Sequence, residues 1–291
     1  MLTKDLQNLI TQLEAESSLF EADQLRKRID ALDELDAHFG GADSKGFSGD
    51  PDVAVIHRRA KEIRTRLEAA NAAIYQSIRL EVRRGDRPRM LLQWIQALAF
   101  CDEAGRPFPG LGYDYLDELV SGVLQLREPG KAEIHPGPDM VFYQPTPVRH
   151  ILQMIGALSA GDVLVDLGSG LGHVPLLVSM LTPVRSVGIE VEAAYVACAR
   201  ECAASLGLSG VRFVQDDARR ADLSGGSVFY LYTPFTGTML TEVLERLRKE
   251  GAGRPIKVCT LGPCTSQVAE QLWLEADAPP DTERVTLFRS R

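Results

Sequence analysis

Three glycines follow a short apolar run in Val165-Asp166-Leu167-Gly168-Ser169-Gly170-Leu171-Gly172-His173-Val174. The apolar residues 163–165 predict a buried strand, and the apolar residues 174–181 predict a helix. Glycine permits a tight turn and lets the backbone approach a ligand closely, and the first amide groups of a helix have no partner within that helix. The segment therefore predicts a ligand-binding turn between a strand and a helix, with a plain tight turn as the alternative.

The spacing of these glycines differs from that of a dinucleotide site. In the dinucleotide fingerprint the third glycine comes three residues after the second, whereas Gly172 comes two residues after Gly170. Asp166 precedes the turn, where a carboxylate repels a pyrophosphate but can receive a cation. The sequence also shows no evident catalytic Tyr/Lys pair, Ser-His-Asp signature or Walker-type loop, so a nicotinamide-dependent reductase is disfavoured.

Strands and helices alternate in the second half of the sequence. The predicted strands cover residues 163–165, 184–189, 211–214, 228–232, 256–261 and 285–288, and residues 274–276 are a candidate hairpin partner for the last one. The predicted helices cover 174–181, 192–206, 238–249 and 266–273. This alternation predicts a mostly parallel sheet with helices on both faces. Ligands bind such a sheet at the carboxyl ends of its strands, where the winding reverses.

Two acids follow the second and third predicted strands. Glu190 lies 18 residues beyond Gly172 at a strand end, where a carboxylate can accept both hydroxyl hydrogens of a ribose. Asp217 follows the third strand, where an acid can accept from an adenine amino group. Either acid alone is more often a solvated loop residue, but their order after one glycine loop favours a nucleoside site.

These motifs resemble those of the class I S-adenosylmethionine-dependent methyltransferases. Residues 166–172 resemble the first motif of that family, Glu190 its second-strand acid, and residues 216–218 its adenine motif. Over residues 140–291 the resemblance implies an α/β fold with a Rossmann-like seven-stranded methyltransferase sheet, and S-adenosylmethionine as the cofactor above its first three strands. It places Asp166 near the methionine ammonium. The implied cofactor-binding residues are Tyr143, Thr146, Asp166, Gly168, Ser169, Gly170, Gly172, Glu190, Asp217 and Ala218.

Tyr143 and Thr146 are among the implied cofactor-binding residues because of a similarity in the segment 141–148. A similar aromatic–Thr–Pro segment lies against the cofactor in several amino-methyltransferases of this class. The alternative is that Thr146 caps the following helix, with Pro147 in its first turn. Residues 166–170 with 188–190 also resemble the non-SET histone-lysine methyltransferases, so both similarities favour a nitrogen acceptor.

The fourth predicted strand ends in Tyr232-Thr233-Pro234-Phe235, which resembles the Asn/Asp-Pro-Pro-Tyr/Phe signature of amino-group methyltransferases. Tyr232 and Thr233 stand where those enzymes have an amide or carboxylate and a proline. We take Tyr232, Pro234 and Phe235 as candidate catalytic residues, since the face of Phe235 can stabilise a cation; packing at a strand end is the alternative. Tyr232 and His135 are the candidate proton acceptors, and His173 is expected to cap or pack.

The first half of the sequence predicts helices. A seam repeating at intervals of four and three predicts a long helix packed lengthwise on another: Ile56, Ala60, Ile63, Leu67, Ala70 and Ile74. Apolar stripes of the same kind over residues 6–13 and 25–32, with a loop over 40–51, predict a helical hairpin. The hairpin either stabilises the protein, dimerises it through the N-terminal helices, or forms a substrate-binding cap.

Further helices are expected from Asp86 and over 113–126. The Pro/Gly-rich stretch 128–138 predicts a boundary between a helical domain (1–130) and a catalytic domain (131–291).

The composition is that of an ordinary globular protein. The 291 residues are 45% hydrophobic and 25% charged, with a formal net charge of −8. Such a chain has no overall attraction to phosphate backbones or anionic membranes, so nucleic acid is a disfavoured partner. No apolar run approaches the roughly 20 residues of a membrane-spanning helix and no signal segment is evident, so we expect a cytoplasmic protein with no membrane partner.

The five cysteines indicate reduced thiols in a cytoplasmic protein. The pairs Cys198/Cys202 and Cys259/Cys264 have spacings compatible with zinc ligands. The first pair lies in an alanine-rich predicted helix, however, so we interpret these cysteines as small buried hydrophobes and expect no metal.

The sequence thus predicts in-line methyl transfer from S-adenosylmethionine to an acceptor that it does not identify. A nitrogen atom is favoured, on a protein side chain or a small molecule. The alternative is a cofactor-binding scaffold or regulatory protein of the same fold without turnover.

Overall fold

The computed structural model describes residues 2–39, 51–96, 111–127, 129, 137 and 139–291. The predicted loop over 40–50, Cys101, His135 and most of the Pro/Gly-rich stretch lie outside the described residues. The chain divides into two compact units, Met1–Ile78 and Arg79–Arg291. The expected boundary near residue 130 differs from this division, because two helices that precede residue 130 belong to the second unit.

The first unit is helical. It contains α1 (Leu2–Ala15), a short 3-10 helix (Ser17–Phe20), α2 (Leu25–Phe39) and most of α3 (Pro51–Arg83). Four of the six residues in the predicted seam of α3 are buried in one cluster with apolar residues of α1, the 3-10 helix and α2, whereas Ala70 is half-buried and Ile74 is buried outside this cluster. The cluster consists of Leu6, Ile10, Leu13, Leu19, Ala31, Leu35, Ile56, Ala60, Ile63 and Leu67. The apolar residues of α3 repeat at intervals of four and three because they form the face of the helix that is buried.

A fully buried arginine lies in this helical unit. Arg28 donates from Nε to the side-chain oxygen of Asn71 and from Nη1 to the carbonyls of Leu19 and Glu21, each at 2.6 Å. Burial lowers the pKa of its guanidinium. Its hydrogen bonds join three separate segments of the unit.

The second unit contains the sheet. Its elements are α4 (Arg89–Gln96), α5 (Tyr115–Leu124), α6 (Val148–Gly156), β1 (Val163–Leu167), α7 (His173–Leu181), β2 (Arg185–Glu190), α8 (Ala193–Leu206), β3 (Val211–Gln215), β4 (Val228–Tyr232), α9 (Gly237–Gly253), β5 (Lys257–Leu261), α10 (Cys264–Ala269), β6 (Leu274–Ala276) and β7 (Thr286–Ser290). The strand order is β3-β2-β1-β4-β5-β7-β6. The first five strands in this order are parallel, and β7 runs antiparallel to both of its neighbours. This confirms the predicted seven-stranded α/β sheet and the β6–β7 hairpin.

The central strands read as continuous apolar runs because helices cover both faces of the sheet. Helices α7 and α8 pack on β1, β2 and β3, while α9 packs on β7 and α10 on β5 and β6. The core cluster joins the strand residues Val165, Leu167, Ile189, Phe229, Leu231 and Val258 to Leu240, Val243, Leu244 and Leu247 of α9. The winding reverses between β1 and β4, so a crevice at their carboxyl ends is dictated by topology.

Three predicted helix starts differ from the structure by two residues or more, the first being that of α5, which begins at Tyr115 and not at residue 113. Helix α4 begins at Arg89, not at Asp86, and the carboxylate of Glu81 accepts from the amide of Met90 in its first turn. Helix α10 begins at Cys264, two residues before the predicted start. At the start of α10 the amide of Cys264 donates to the hydroxyl of Thr233, 31 residues away, so the local sequence pattern does not reveal this start.

No helix in the described part of the chain is long and apolar enough to cross a membrane. Cys198, Cys202, Cys259 and Cys264 are free thiols. Among the described residues no group of three or more His, Cys, Asp or Glu side chains is arranged to hold a metal ion.

Candidate functional site

The glycine segment forms a tight turn at the end of β1. The φ angles of Gly168, Gly170 and Gly172 are +81°, +52° and +86°, a region that residues with a Cβ rarely adopt. The amides of Gly168 and Ser169 both donate to the carbonyl of Ile189, at 2.9 and 3.0 Å. The turn is therefore fixed to the end of the neighbouring strand β2.

Close neighbours also require glycine at these positions. A Cβ at Gly168 would overlap the ring of Pro234, and one at Gly170 would overlap the ring of Tyr143. A Cβ at Gly172 would instead meet Phe213 and Ala199. Gly172, which the resemblance assigns to the cofactor, thus lies against β3 and α8 inside the protein.

The carboxylate of Glu190 closes the turn. One of its oxygens accepts from the amide of Gly170 at 2.8 Å and the other from the amide of Glu192 at 2.9 Å. A carboxylate has about four lone-pair directions, so each oxygen keeps one for a further hydrogen bond. Glu190 is held in a single orientation at the edge of a cavity.

That cavity has a volume of about 800 Å³ and lies at the carboxyl ends of β1, β2, β3 and β4. The structure brings eleven of the thirteen predicted site residues to its wall: Tyr143, Thr146, Asp166, Gly168, Ser169, Glu190, Asp217, Ala218, Tyr232, Pro234 and Phe235. The two others, Gly170 and Gly172, are not among the lining residues.

Asp166 and Tyr230 are buried side by side at the base of the cavity. They are register partners on β1 and β4 and are 4% and 1% exposed. Burial raises the pKa of Asp166 well above its usual range, and the nearby charge of Glu190 adds to this rise. Burial likewise raises the pKa of Tyr230. Sequence reasoning missed Tyr230, although strand alternation places it on the same face as Tyr232.

Thr146 contacts this buried pair and does not cap α6. Its hydroxyl lies 3.2 Å from that of Tyr230. Pro147 is the N-cap residue of α6, and no side chain at that position caps it. The amide of Val148 donates instead to the carboxylate of Asp117 at 2.8 Å. The capping alternative for Thr146 is therefore wrong, because a neighbouring helix supplies the acceptor.

Asp117 holds the starts of two helices. Its second oxygen accepts from the amide of Asp114 at 2.7 Å, within a capping box at the start of α5. Burial raises the pKa of Asp117 to about 6. This side chain positions the segment that leads into the cavity wall.

Residues 139–146, which we call the strap, cover part of the cavity. The strap lies along the loop after β4: the amide of Val141 donates to the carbonyl of Pro234 at 3.2 Å, and the amide of Thr236 donates to the carbonyl of Asp139 at 2.8 Å. The carboxylate of Asp139 also accepts from the amide of Met239 in the first turn of α9, at 3.3 Å. The strap is thus attached to the sheet at the end of β4.

The middle of the strap is attached to the glycine turn. The hydroxyl of Tyr143 lies 2.9 Å from Nδ1 of His173, and its ring centroid lies 5.3 Å from that of Tyr195. Burial lowers the pKa of His173 to about 4, so its imidazole is neutral at pH 7. His173 packs and bonds to the strap, which agrees with the expectation for it.

Asp217 is already paired in the structure. Its oxygens accept from the guanidinium of Arg219 at distances from 2.7 to 3.2 Å. Arg219 holds the pKa of this carboxyl below its usual value. Sequence reasoning missed Arg219, whose position two residues beyond Asp217 is a signal for such a pairing. Ala218, between them, belongs to the core cluster and also borders the cavity.

The last residue of β4 and the segment that follows it border the cavity. The hydroxyl of Tyr232 is buried and has no hydrogen-bond partner among the described residues, and burial raises its pKa. Thr233 has a φ of +39°, and its hydroxyl donates to the carbonyl of Leu261 and accepts from the amide of Cys264, both at 3.1 Å. Thr233 is thus structural. Phe235 is 3% exposed, lies mostly in the core cluster and reaches the cavity wall.

This strand order, with a glycine turn after β1 and a cavity above β1 to β4, is the class I methyltransferase fold. No family model matches the sequence, and none of the curated proteins matches it at a significant level.

Several solved structures are similar to about half of the chain. An RNA methyltransferase from Salinibacter ruber in complex with S-adenosyl-L-homocysteine is 27% identical, with a TM-score of 0.40; 50% of this chain and 92% of that chain are covered. The putative methyltransferase yhhF from Escherichia coli is 18% identical, with a TM-score of 0.41 and coverages of 54% and 90%. TrmN from Thermus thermophilus is 21% identical, with a TM-score of 0.39 and coverages of 50% and 49%. At these TM-scores the similarities carry no argument about the acceptor.

Proposed function

We propose that this protein binds S-adenosylmethionine in the cavity and transfers its methyl group to a nitrogen acceptor. The observation that carries the proposal is the hydrogen bond from Gly170 to Glu190, which fixes a carboxylate at the end of β2 beside the glycine turn. An acid in that position is suited to the two hydroxyls of a ribose.

The residues at the wall fit such a cofactor. The hydroxyl of Ser169 is buried without a partner among the described residues, as expected of a group that a ligand satisfies. Asp166 would hold the methionine ammonium, whose charge offsets the cost of burying this carboxylate. Glu190 would hold the ribose, and Asp217 the adenine amino group alongside its pairing with Arg219.

The bound sulfonium would supply an electrophilic methyl group with a good leaving group attached, so the protein mainly has to align the acceptor and exclude water. We assign the strap, which includes Tyr143, to limiting the access of water to the cavity. The raised pKa of Tyr232 keeps its hydroxyl protonated at neutral pH, so we assign it to orienting the acceptor and not to removing a proton. Phe235 borders the cavity, and the face of its ring would stabilise the positively charged sulfonium.

Two measurements test the proposal. Titration calorimetry with S-adenosylmethionine is expected to show one site per chain. Tritiated methyl groups are then expected to enter a fraction of a lysate separated into protein, nucleic acid and metabolite pools. The absence of binding at millimolar cofactor would contradict the proposal.

A cofactor-binding protein without turnover is the second candidate. It is favoured by Tyr232 and Thr233, which replace the activating groups of the amino-methyltransferase signature, and by the engagement of Thr233 in structural hydrogen bonds. It predicts calorimetric binding of S-adenosylmethionine with no transfer to any lysate fraction. A homodimer through the N-terminal helices stays a prediction. A cytoplasmic location also stays a prediction, and the four free cysteines are compatible with it.

A further inference from the structure

The cavity has a second half that the cofactor residues leave unassigned. Apart from Tyr143 and Thr146 in the strap, the assigned residues come from the ends of β1, β2 and β3. The other half is formed by the end of β4, the first turn of α9, Pro263 before α10, and residues 139–142 of the strap. An acceptor that meets the methyl group has to bind in this half, which we call the acceptor half.

The charges around the cavity disfavour an anionic ligand. Six carboxyl groups line it: Asp139, Asp166, Glu190, Glu192, Asp216 and Asp217. Among the described lining residues Arg219 is the only cationic side chain, and it already pairs with Asp217 at 2.7 Å and with Glu242 at 3.7 Å. A phosphate or carboxylate on an acceptor in the second half of the cavity would meet the charge of Asp139 and no free cation among the described lining residues.

The wall of the acceptor half is largely apolar. Met140, Phe142, Met239, Pro234 and Pro263 line it. Phe142 is 82% exposed, although it borders the cavity, so its ring stands at the mouth and offers an apolar surface to an entering ligand.

Two polar groups in this half suit an amine. Asp139 is its one charged side chain among the described lining residues, and it is held in place by the amide of Met239. The buried hydroxyl of Tyr232 has no partner among the described residues, so an acceptor N–H can donate to its oxygen.

We propose that the methyl acceptor is an amine carried on an aliphatic or aromatic body without an anionic group. This inference rests on the proposed function and names its substrate class. The ammonium form of the amine first gives one proton to water, and the nitrogen lone pair then forms a bond to the methyl carbon while the carbon–sulfur bond breaks with its electron pair going to sulfur. The resulting N-methylammonium then loses a proton to water. A lysine side chain and a free small amine share this chemistry.

The test compares matched acceptors with tritiated S-adenosylmethionine. Benzylamine and hexylamine are paired with benzyl alcohol and hexanoate, and a lysine-containing peptide is paired with its norleucine analogue; total RNA is the final arm. Transfer to amines is expected to exceed transfer to every other acceptor at least 20-fold. Preference for the peptide or for the free amines identifies the source. Transfer to RNA, alcohol or hexanoate at comparable rates, or to no amine, overturns the inference.

Variants test the acceptor half without relying on turnover. Asp139→Asn keeps an oxygen for the amide of Met239 but removes the charge. We expect at least tenfold weaker calorimetric binding of benzylamine to protein saturated with S-adenosylhomocysteine, and an equal rise in KM. Tyr232→Phe is expected to lower kcat/KM for amines at least fivefold. Unchanged amine binding in Asp139→Asn overturns the inference.

Controls separate this inference from the proposed function. Glu270→Gln, at an exposed position, is expected to leave amine binding unchanged, and S-adenosylhomocysteine affinity is expected to stay within twofold in all three variants. Failure of wild-type protein to bind S-adenosylhomocysteine contradicts the proposed function itself. Cofactor binding with transfer to RNA leaves methyl transfer in place and overturns the amine acceptor.

Discussion

The side-chain carboxylate of Glu190 accepts a hydrogen bond from the backbone amide of Gly170 at 2.8 Å. The bond joins the end of β2 to the turn after β1, two elements separated by helix α7. It explains how a loop rich in positive φ angles keeps one shape, and it aims the carboxylate at the cavity. The proposed cofactor site therefore depends on this pair.

Replacing Glu190 by alanine is expected to weaken S-adenosylhomocysteine binding about 10- to 100-fold, because hydrogen bonds to a charged group contribute about 1.5–3 kcal/mol. Titration calorimetry measures the loss. Glu201→Ala, at an exposed position on α8, is the matched control and is expected to bind normally. Equal affinity of wild type and Glu190→Ala would remove Glu190 from the cofactor site.

A methyl group at Gly170 is expected to displace the ring of Tyr143, which a Cβ there would overlap. Gly170→Ala also strains a φ of +52° by roughly 1–2 kcal/mol. We expect a lower Tm and weaker cofactor binding, with the binding partly restored in Gly170→Ala/Tyr143→Ala. Gly156→Ala, where a Cβ meets nothing within 4 Å, is the control. Wild-type affinity in Gly170→Ala would contradict the assignment of the turn.

The hydroxyls of Thr146 and Tyr230 are expected to be energetically coupled. Thr146→Val or Tyr230→Phe each leaves a buried hydroxyl without its partner, at a cost of about 1–3 kcal/mol. The double variant leaves none, so it is expected to lose less stability than the sum of the single variants. Urea unfolding of all four proteins measures the coupling; strictly additive losses would show that the 3.2 Å contact is not a hydrogen bond.

Removal of the Asp117 side chain is expected to destabilise the starts of both α5 and α6. Asp117→Ala loses two hydrogen bonds to backbone amides, and each lost cap costs about 1 kcal/mol. A decrease of roughly 2 kcal/mol in the free energy of unfolding is expected. Asp117→Asn can still accept a hydrogen bond from one of the two amides. Its free energy of unfolding is therefore expected to lie between those of wild type and Asp117→Ala. Equal free energies of unfolding for wild type and Asp117→Ala would contradict the role of Asp117 in capping these helices.

The buried imidazole of His173 makes stability depend on pH. Its pKa is lowered from 6.5 to about 4 in the folded protein. Between these values the unfolded chain binds a proton that the folded chain does not, so this contribution to stability is present above pH 6.5 and is lost as the pH falls toward 4. Relative to His173→Asn, wild type is expected to lose up to about 3 kcal/mol over that range. Urea unfolding of both proteins from pH 7 to pH 4 measures the difference in their free energies of unfolding. A difference that stays constant over this range would contradict the lowered pKa of His173.

The sheet was predictable from the sequence because its signals are local. The turn after β1 carries its own glycines, and the apolar runs of the strands follow directly from burial on both faces. The seam of α3 is predictable for the same reason, since Ile56, Ala60, Ile63 and Leu67 repeat with the period of a packed helix. Local patterns of this kind are set by neighbours in the sequence.

Apart from Arg219, which pairs with Asp217 two residues away, the missed residues have partners that are not their neighbours in the sequence. Asp117 caps a helix 31 residues away, and Tyr230 meets Thr146 across 84 residues. From the sequence alone, Arg28 would be taken for an exposed charged residue. In the fold it is buried and donates to the side-chain oxygen of Asn71 and to the carbonyls of Leu19 and Glu21. Such residues satisfy hydrogen bonds created only by the tertiary fold, so spacing along the chain does not reveal them.

A crystal structure of the protein with S-adenosylhomocysteine tests the cofactor site most directly. We predict that the adenosine lies above β2 and β3, with both ribose hydroxyls within 3.2 Å of the carboxylate of Glu190 and the amino acid end beside Asp166. Adenosine density outside this cavity, or a ribose turned away from Glu190, would contradict the assignment of the site.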